Sequence, residues 1–587
     1  MLAKIVQKAE QATGSRVTIG DFTFRWAGLH ADIYRITLDG AGENYGEPLF
    51  TADHLGVGLK IISILGRKVR LNSMTLDHPT IHILVDERGK TNIPAPKNSS
   101  QSTKPVNVFN LAAGLVRINQ GEIYYQNARL PLDASCRNLQ VQVRFDTLKT
   151  AYDGTLSYKE GMVHFGNFRP LQHNLEAKFS AEPSELTVDQ VLVASGASHI
   201  SAQARLTDYL NPSVSGTYRM IVSGRQLQDV LKNRTLPTGQ IITSGSLHYQ
   251  RVRGQPLLRS LTVDGQLNSS RLDLNIPQAH SVFQAVRSRY RFADGNLIVK
   301  GLEADGLGGH LTADMAMQHV AATPNSRITG SFHDISLTAV NAALSSKPLR
   351  DVPLQGRADG SLAATWQGRI SRAKIHSDIT ITADSLPLKT GLAQTSATMK
   401  IPVDGVLHCT YDAGQNALSL SQSYLRTPHL KVQVNGTLGP QSQMSVNATT
   451  DSLHEVDVLV LGIRSNTAPQ QASSAPAQLL GLEGAGSFAG QILGSVKDPR
   501  FAGQVVARNV QFRDEHVPLA RSQITLGRSQ LRLAQGNLTT GGGGSIRFDA
   551  AVGLNDWRYS PLSPIAIQAA VNRIQLADLE RLTSLQY

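Results

Sequence analysis

The sequence predicts a mostly β chain, folded as an elongated repeating β-groove: a curled, twisted antiparallel sheet with an apolar interior. Three observations predict it. First, a marker recurs about every 115 residues, which signals a stack of like units rather than one closed globule. It begins with a leucine pair on one strand face, passes a turn rich in Gly, Ser or Thr, and continues into a long alternating strand. Its four copies start at Leu186, Leu297, Leu418 and Leu531. Second, a short helix-compatible segment keeps the same phase, at 226–231, 337–344, 453–459 and 576–582. After the first three comes a Gly-punctuated strand, at Gly239, Gly356 and Gly484, where a glycine marks a bend or a bulge. Third, apolar and polar residues alternate over long stretches, the period-two pattern of a sheet with one apolar face.

The elements follow in order. Leu2 to Ala12 have helical spacing, with Leu2, Ile5, Val6 and Ala9 on one face, and Thr13-Gly14 stops the helix. Strands are expected at 17–26, 32–38, 52–59, 71–77 and 80–86, and Asp86 to Asn92 closes an N-terminal module, residues 1–93. Residues 94–106 form a Pro/Ser-rich linker. Beyond it lie one β-groove unit (107–225), three repeats (226–335, 336–451 and 452–574) and the start of another (575–587). The Ser465–Pro476 segment reads as a low-complexity excursion between units. The whole is expected to hold roughly 35–45 strands spaced at about 4.8 Å.

Composition bounds the function. The chain has 587 residues and a formal net charge of +12, with 5% aromatic and 17% charged residues. Length alone suggests roughly 3–5 globular domains, but separate sandwiches would need a linker at each boundary. Only 94–106 and 465–476 qualify, so the apolar face is read as curled inward or filled by something other than protein. Cys136 and Cys409 lie in different units and form no disulfide framework. No apolar run approaches the roughly 18 residues that span a bilayer.

Catalytic, cofactor and metal motifs are missing. There is no His-Glu-x-x-His, Gly-x-Ser-x-Gly or Cys-x-x-Cys. Gly89-Lys90-Thr91 lacks the upstream glycine of a phosphate loop, because Leu84 stands there. His78 and His82 are four apart, a spacing that gives no shared face in a strand. Arg287, Arg289 and Arg291 alternate along one strand face, as do Arg251 and Arg253, while Arg67, Lys68 and Arg70 cluster in the N-terminal module. These are read first as a solvated side, and nucleic acid is not expected as a partner.

The N-terminal order is amphipathic helix, Gly14 to Ile19, Ala52 to Val57, Leu76 to Ile83, then Asp86, Gly89 and Asn92. It is similar to the start of AsmA-like and TamB proteins, and the repeat resembles the long TamB repeat region. The resemblance implies a non-enzymatic cell-envelope protein. Its apolar β-groove would shield phospholipid acyl chains between the bacterial inner and outer membranes. It also implies a periplasmic location, an inner-membrane anchor preceding Met1, and a continuation past Tyr587. One alternative is a TamB-like scaffold for outer-membrane protein assembly with an Omp85-class barrel partner. Another is a structural or adhesive β-solenoid with a filled interior.

The candidate groove-lining residues share one strand phase, and a one-residue slip would turn them outward. They are Leu139, Val141, Val143, Phe145, Leu261, Val263, Leu267, Leu430, Val432, Val434, Leu438, Phe501 and Val505.

Overall fold

The computed structural model describes residues 2–41, 47–60, 71–94, 109, 113–276, 279–345, 354–385, 400–467, 479–495, 498–512, 515–557 and 562–573. The fold is mostly β: among the described residues 69% are strand, in a mainly antiparallel sheet of about 30 strands with four short helices. Among the described residues there are 30 strands, and many are long; β14 (Leu261–Ile276), for example, has 16 residues. Contacts divide the chain into two compact units. One is Met1–Ile276 with Ala285–Leu297, the other Pro277–Gln284 with Ile298–Tyr587.

The first unit opens with α1 (Leu2–Thr13). The expected stop is present: Thr13 donates its hydroxyl to the Ala9 carbonyl at 2.8 Å, and Gly14 turns the chain with φ +75°. Strands β1 (Val17–Arg25), β2 (His30–Leu38) and β3 (Phe50–Leu59) pair antiparallel. Then β4 (Leu71–Asp77) and β5 (Thr80–Val85) both pair in parallel with β6 (Leu115–Asn127). From β6 on, each strand pairs antiparallel with the next: β7 (Leu132–Asp146), β8 (Ala151–Phe165), β9 (Leu171–Ala181), β10 (Glu185–Ser195), β11 (Ser198–Thr207), β12 (Ser213–Ser223), β13 (Thr238–Gln250) and β14. Helix α2 (Gly224–Leu231) sits between β12 and β13, capped by the Ser223 hydroxyl. Strand β15 (Ala279–Ala293) contributes its C-terminal part to this unit.

The second unit contains most of β16 (Asn296–Gly306), then β17 (Gly309–Gln318) and β18 (Asn325–Ser336). Helix α3 (Leu337–Ala343), capped by Ser336, follows. Next come β19 (Leu354–Gln367), β20 (Lys374–Ser385), β21 (Pro402–Asp412), β22 (Ala417–Arg426), β23 (Leu430–Leu438) and β24 (Ser442–Thr450). After α4 (Leu453–Thr467) the described strands are β25 (Leu482–Ser495), β26 (Asp498–Phe512), β27 (Glu515–Leu526), β28 (Gln530–Thr539), β29 (Ser545–Gly553) and β30 (Ile565–Asn572).

The first, third and fourth sequence markers are hairpins, β10–β11, β22–β23 and β28–β29, and the second spans the consecutive strands β16 and β17. In the first three cycles a third strand, a helix and three more strands follow. The marker also hides a change of phase. Its apolar positions fall at spacings of two, three and two, as in Leu186, Val188, Val191, Val193 and in Leu531, Leu533, Gly536, Leu538. Register shifts in the first, third and fourth copies lie at that three-residue gap. A bulge inserts one residue, so the apolar set returns to the same face after it. The bulge residue is left-handed at Gln422, Gln535 and Gly301. The Gly-punctuated strands behave similarly: Gly239 and Gly484 have φ of +128° and +116° beside register shifts.

Two expectations need correction. Arg251 and Arg253 do not lie on a strand face, because β13 ends at Gln250 and Gly254 with Pro256 turns the chain into a 3-10 turn, Leu257–Arg259. The excursion expected from Ser465 begins later, since α4 continues to Thr467. The helix tolerates buried Glu455 and Asp457 because each has a backbone partner, the His429 amide at 3.3 Å and the Gly481 amide at 3.0 Å. Asn92, at the edge of the N-terminal module, is fully buried. Its side chain accepts from the Leu84 amide at 3.0 Å and donates to the His82 carbonyl at 2.8 Å. Most of the 94–106 linker, the basic cluster at 67–70 and the segment 575–587 lie outside the described residues.

Candidate functional site: an apolar sheet face

The candidate residues of the first unit stand on one face of the sheet, and the strand register links them. One cross-strand row runs Val143, Gly154, Phe179, Val188, Ala204, Gly216, Leu247, Val263. A second runs Phe145, Tyr152, Ala181, Leu186, Leu206, Val214, Tyr249, Leu261. A third starts at Ile118 and passes Val141, Leu156, Ala177, Val191, Ala202 and Tyr218 to Gly245 and Gly265. A fourth leads from Tyr158 through Leu175, Val193, Ile200, Met220 and Thr243 to Leu267. Seven inter-strand steps of about 4.8 Å make the first two rows roughly 34 Å wide.

In the second unit Val432 joins Val505 through Ala448 and Phe488. Val434 continues through Val446, Gly490 and Gly503 to Ile524. Phe501 lies between Ile492 and Leu526, Leu438 opposite Leu418, and Leu430 opposite Thr450.

Of the thirteen candidates only Leu139 is fully buried; the others are partly buried, while Gln142, Arg144, Gln266, Lys431, Gln433 and Gln504 between them are exposed. A face covered by a second packed layer would read as buried along its length. The packed cluster in the second unit is small: Ala358, Ile381, Ala383 and Val403, with Leu337 of α3 against it.

Glycines on this face let aromatic rings lie down. A Cβ at Gly154 would come within 3.0 Å of the Phe179 ring, one at Gly503 within 2.8 Å of Phe488, and one at Gly536 within 2.5 Å of Phe548. The rings therefore pave the backbone of the neighbouring strand instead of standing up into the open side. Sequence reasoning missed this, because a glycine and an aromatic become neighbours only once the register is known.

The opposite face is polar. Arg287, Arg289 and Arg291 are exposed there, and Arg291 reaches Asp264 at 3.2 Å. A concave spot of about 530 Å³ also lies largely on that face, lined by Leu192, Ala194 and Ile221 with Glu176, His199 and Arg219 around it.

The N-terminal module carries a hydrogen-bonded chain of charges. Arg25 donates to buried Asp32 at 2.9 Å, His54 bridges Asp32 and Asp77 at 2.9 and 2.8 Å, and Asn119 donates to Asp77 at 2.7 Å. Burial alone would raise Asp32, but the bond to His54 and the charges of His30 and Arg25 hold it below its ordinary value. Burial would lower His54, and its bonds to Asp77 and Asp32 outweigh this and raise it. The bonds from His54 and Asn119 lower Asp77. Every group in the chain is engaged by another, as in a structural clamp between strands.

Among the described residues no group of three or more His, Cys, Asp or Glu is placed to hold a metal ion, and no helix is long and apolar enough to cross a membrane. Cys136 and Cys409 are free thiols, and burial pushes both up. In comparisons with known proteins, no family model and no curated protein matches the chain.

Proposed function

We propose that this chain is a non-enzymatic carrier surface for phospholipid acyl chains, acting between two membranes of a bacterial envelope. The observation that supports the reading is the set of mostly apolar rows, the majority of whose residues are only partly buried, across nine strands of the first unit. A phospholipid in water exposes some 30 CH₂ groups, an opposing term of roughly 24 kcal/mol at about 0.8 kcal/mol each. A sheet face that accepts those groups while leaving the headgroup in water removes most of that barrier. Flat aromatic rings and small residues suit sliding, because they offer contact without deep pockets that trap one chain.

The test is native mass spectrometry of the purified chain, before and after incubation with dioleoylphosphatidylglycerol vesicles. Bound masses matching phospholipid are expected. A lipid-free chain that takes up none from the vesicles overturns the reading. One observation favours a second reading, a scaffold for β-strands of outer-membrane proteins. Strand β30 is exposed along its length, with Ile565, Ile567 and Val571 at 55%, 67% and 51% exposure, and pairs only with β29 among the described residues. Such an edge suits strand addition, and a strand peptide that protects β30 amides from exchange would support it.

A further inference from the structure

Exposed aliphatic side chains and arginines gather on one rim of the first unit, where β11 turns into β12 and β13 into β14. A hairpin commonly closes in about two to five residues, yet ten residues, 251–260, join β13 to β14. All of 251–259 are exposed. The loop is held by its own backbone: the Gln255 amide donates to the Val252 carbonyl at 3.1 Å, and the Arg259 amide to the Pro256 carbonyl at 3.0 Å. It presents Val252, Leu257 and Leu258 to water, with Leu257 61% exposed. The neighbouring turn adds Tyr209 and Leu210, the latter 74% exposed. The two turns are tied together. The Arg251 amide donates to the Pro212 carbonyl at 3.0 Å, and its guanidinium to the Leu210 carbonyl at 3.5 Å.

Arg251, Arg253 and Arg259 stand among these apolar side chains, and none has a carboxylate partner among the described residues. The flanking turns bring two carboxylates, Asp208 and Asp294, against three guanidiniums. Asp208 is already occupied by the Leu210 and Asn211 amides. Scattered exposed leucines need no explanation, but an apolar patch set among cations does. The second unit repeats the device at the same point of its cycle. Between β19 and β20, which follow α3 as β13 and β14 follow α2, a 3-10 turn carries Ile370, 69% exposed, with Arg369 and Arg372 exposed on either side. Apart from Tyr209 the apolar members are aliphatic, which suits acyl chains and not stacked bases, while guanidiniums suit phosphate.

We infer that the β11–β12 and β13–β14 turns dock this chain on an anionic phospholipid membrane, the leucines entering the acyl boundary and the arginines meeting headgroup phosphates. The docking does not depend on the carrier reading, to which it adds a point of lipid entry. The loop leaves from Tyr249 and Leu261, the pair that ends the second apolar row, so the patch adjoins the apolar face.

The experiment sediments the full chain with vesicles of dioleoylphosphatidylcholine, alone or mixed in equal amounts with dioleoylphosphatidylglycerol. Binding is expected to the mixed vesicles, and to weaken with salt. Arg251→Gln/Arg253→Gln/Arg259→Gln should weaken it on the order of 100-fold, about fivefold per arginine. Arg287→Gln/Arg289→Gln/Arg291→Gln removes the same charge from the polar face and should weaken it far less. Tryptophan emission of a Leu257→Trp chain should shift to the blue on the mixed vesicles, relative to the wild type. Equal binding to both vesicles, or equal loss in the two arginine variants, overturns the docking site; so does an unshifted emission from the Leu257→Trp chain. Native mass spectrometry reads carried lipid separately. A chain that docks and carries none overturns the carrier reading alone, and a chain that carries lipid without docking overturns the rim alone.

Discussion

Placing a carboxylate at Val432 and at Ala358 separates an open apolar face from a packed interior. Val432 lies on β23 between Leu425 and Ala448 and is partly buried; Ala358 lies on β19 at 5% exposure, inside the cluster with Ile381, Ala383 and Val403. Full burial of a valine side chain is worth about 1.5–3 kcal/mol, so losing a partly buried one costs about 1 kcal/mol. The new carboxylate at Val432 turns toward the open side and keeps much of its water, which limits the total for Val432→Asp to about 2 kcal/mol. Ala358→Asp puts a larger, charged side chain where there is neither room nor a partner, and its cost exceeds roughly 3 kcal/mol. Hydrogen exchange over β22–β24 and β18–β20 reads the two local stabilities, and native mass spectrometry reads retained phospholipid. The expected pattern is a folded Val432→Asp chain that has lost lipid, and an Ala358→Asp chain with β18–β20 opened. Equal destabilisation by the two changes would refute the open face. A folded Val432→Asp chain that retains lipid as before would remove Val432 from the route.

The N-terminal clamp predicts a bounded pH window. His54, raised above 6.5, contributes stability that is fully present below 6.5 and is lost as pH rises through its folded value. Asp32 and Asp77, lowered from 3.8, contribute stability present above 3.8 and lost as pH falls through their folded values. Protection of β1–β4 amides is therefore greatest between the two limits, and His54→Asn should flatten its fall on the alkaline side; an unchanged profile would show that His54 is not the titrating group. At the β28 bulge the Gln535 amide donates to the Asp549 carboxylate at 3.0 Å. Asp549→Ala should destabilise the β28–β29 hairpin by about 0.5–1.5 kcal/mol, and Asp549→Asn, which keeps an acceptor, by less; equal exchange rates in the two variants would dismiss this role.

The fold class was legible because period two and a repeat of fixed phase are strong signals. Leu186, Leu418 and Leu531 each open a hairpin, Leu297 stands at the start of β16, and Ser223 and Ser336 cap helices where helical segments were expected. The alternation was legible at β23 too, where Val432 and Gln433 differ in burial. The lateral partners were not. That Val143 shares a row with Val263 depends on six intervening strands and the bulges among them, and no local pattern encodes it. The hydrogen bond between the Tyr218 and Tyr290 hydroxyls was hidden for the same reason, since the two residues are 72 apart. The parallel pairing of β4 and β5 with β6 was also unforeseen, because the connecting segment gives no periodic signal.

The bulges explain how one face stays apolar while the sheet bends. Each adds a residue to one strand, increases the local twist and leaves an amide without a ladder partner. The partner comes from the next strand. Asp314 accepts from the Gly301 amide at 2.8 Å, Asp549 from Gln535 at 3.0 Å, Asn174 from Glu160 at 3.1 Å and Asp359 from Asp334 at 2.9 Å. All these acceptors sit on the polar face, where water can still reach them. The apolar face therefore pays no polar atom for the curvature. The spacing of two, three and two in the marker is the sequence form of the same device: the extra residue is inserted on the wet side, and the apolar phase is restored two strand positions later. A strict alternation would run straighter, and an alternation broken without the added residue would turn leucines outward. The added residue and the preserved apolar phase thus come from one residue spacing, which recurs in each cycle.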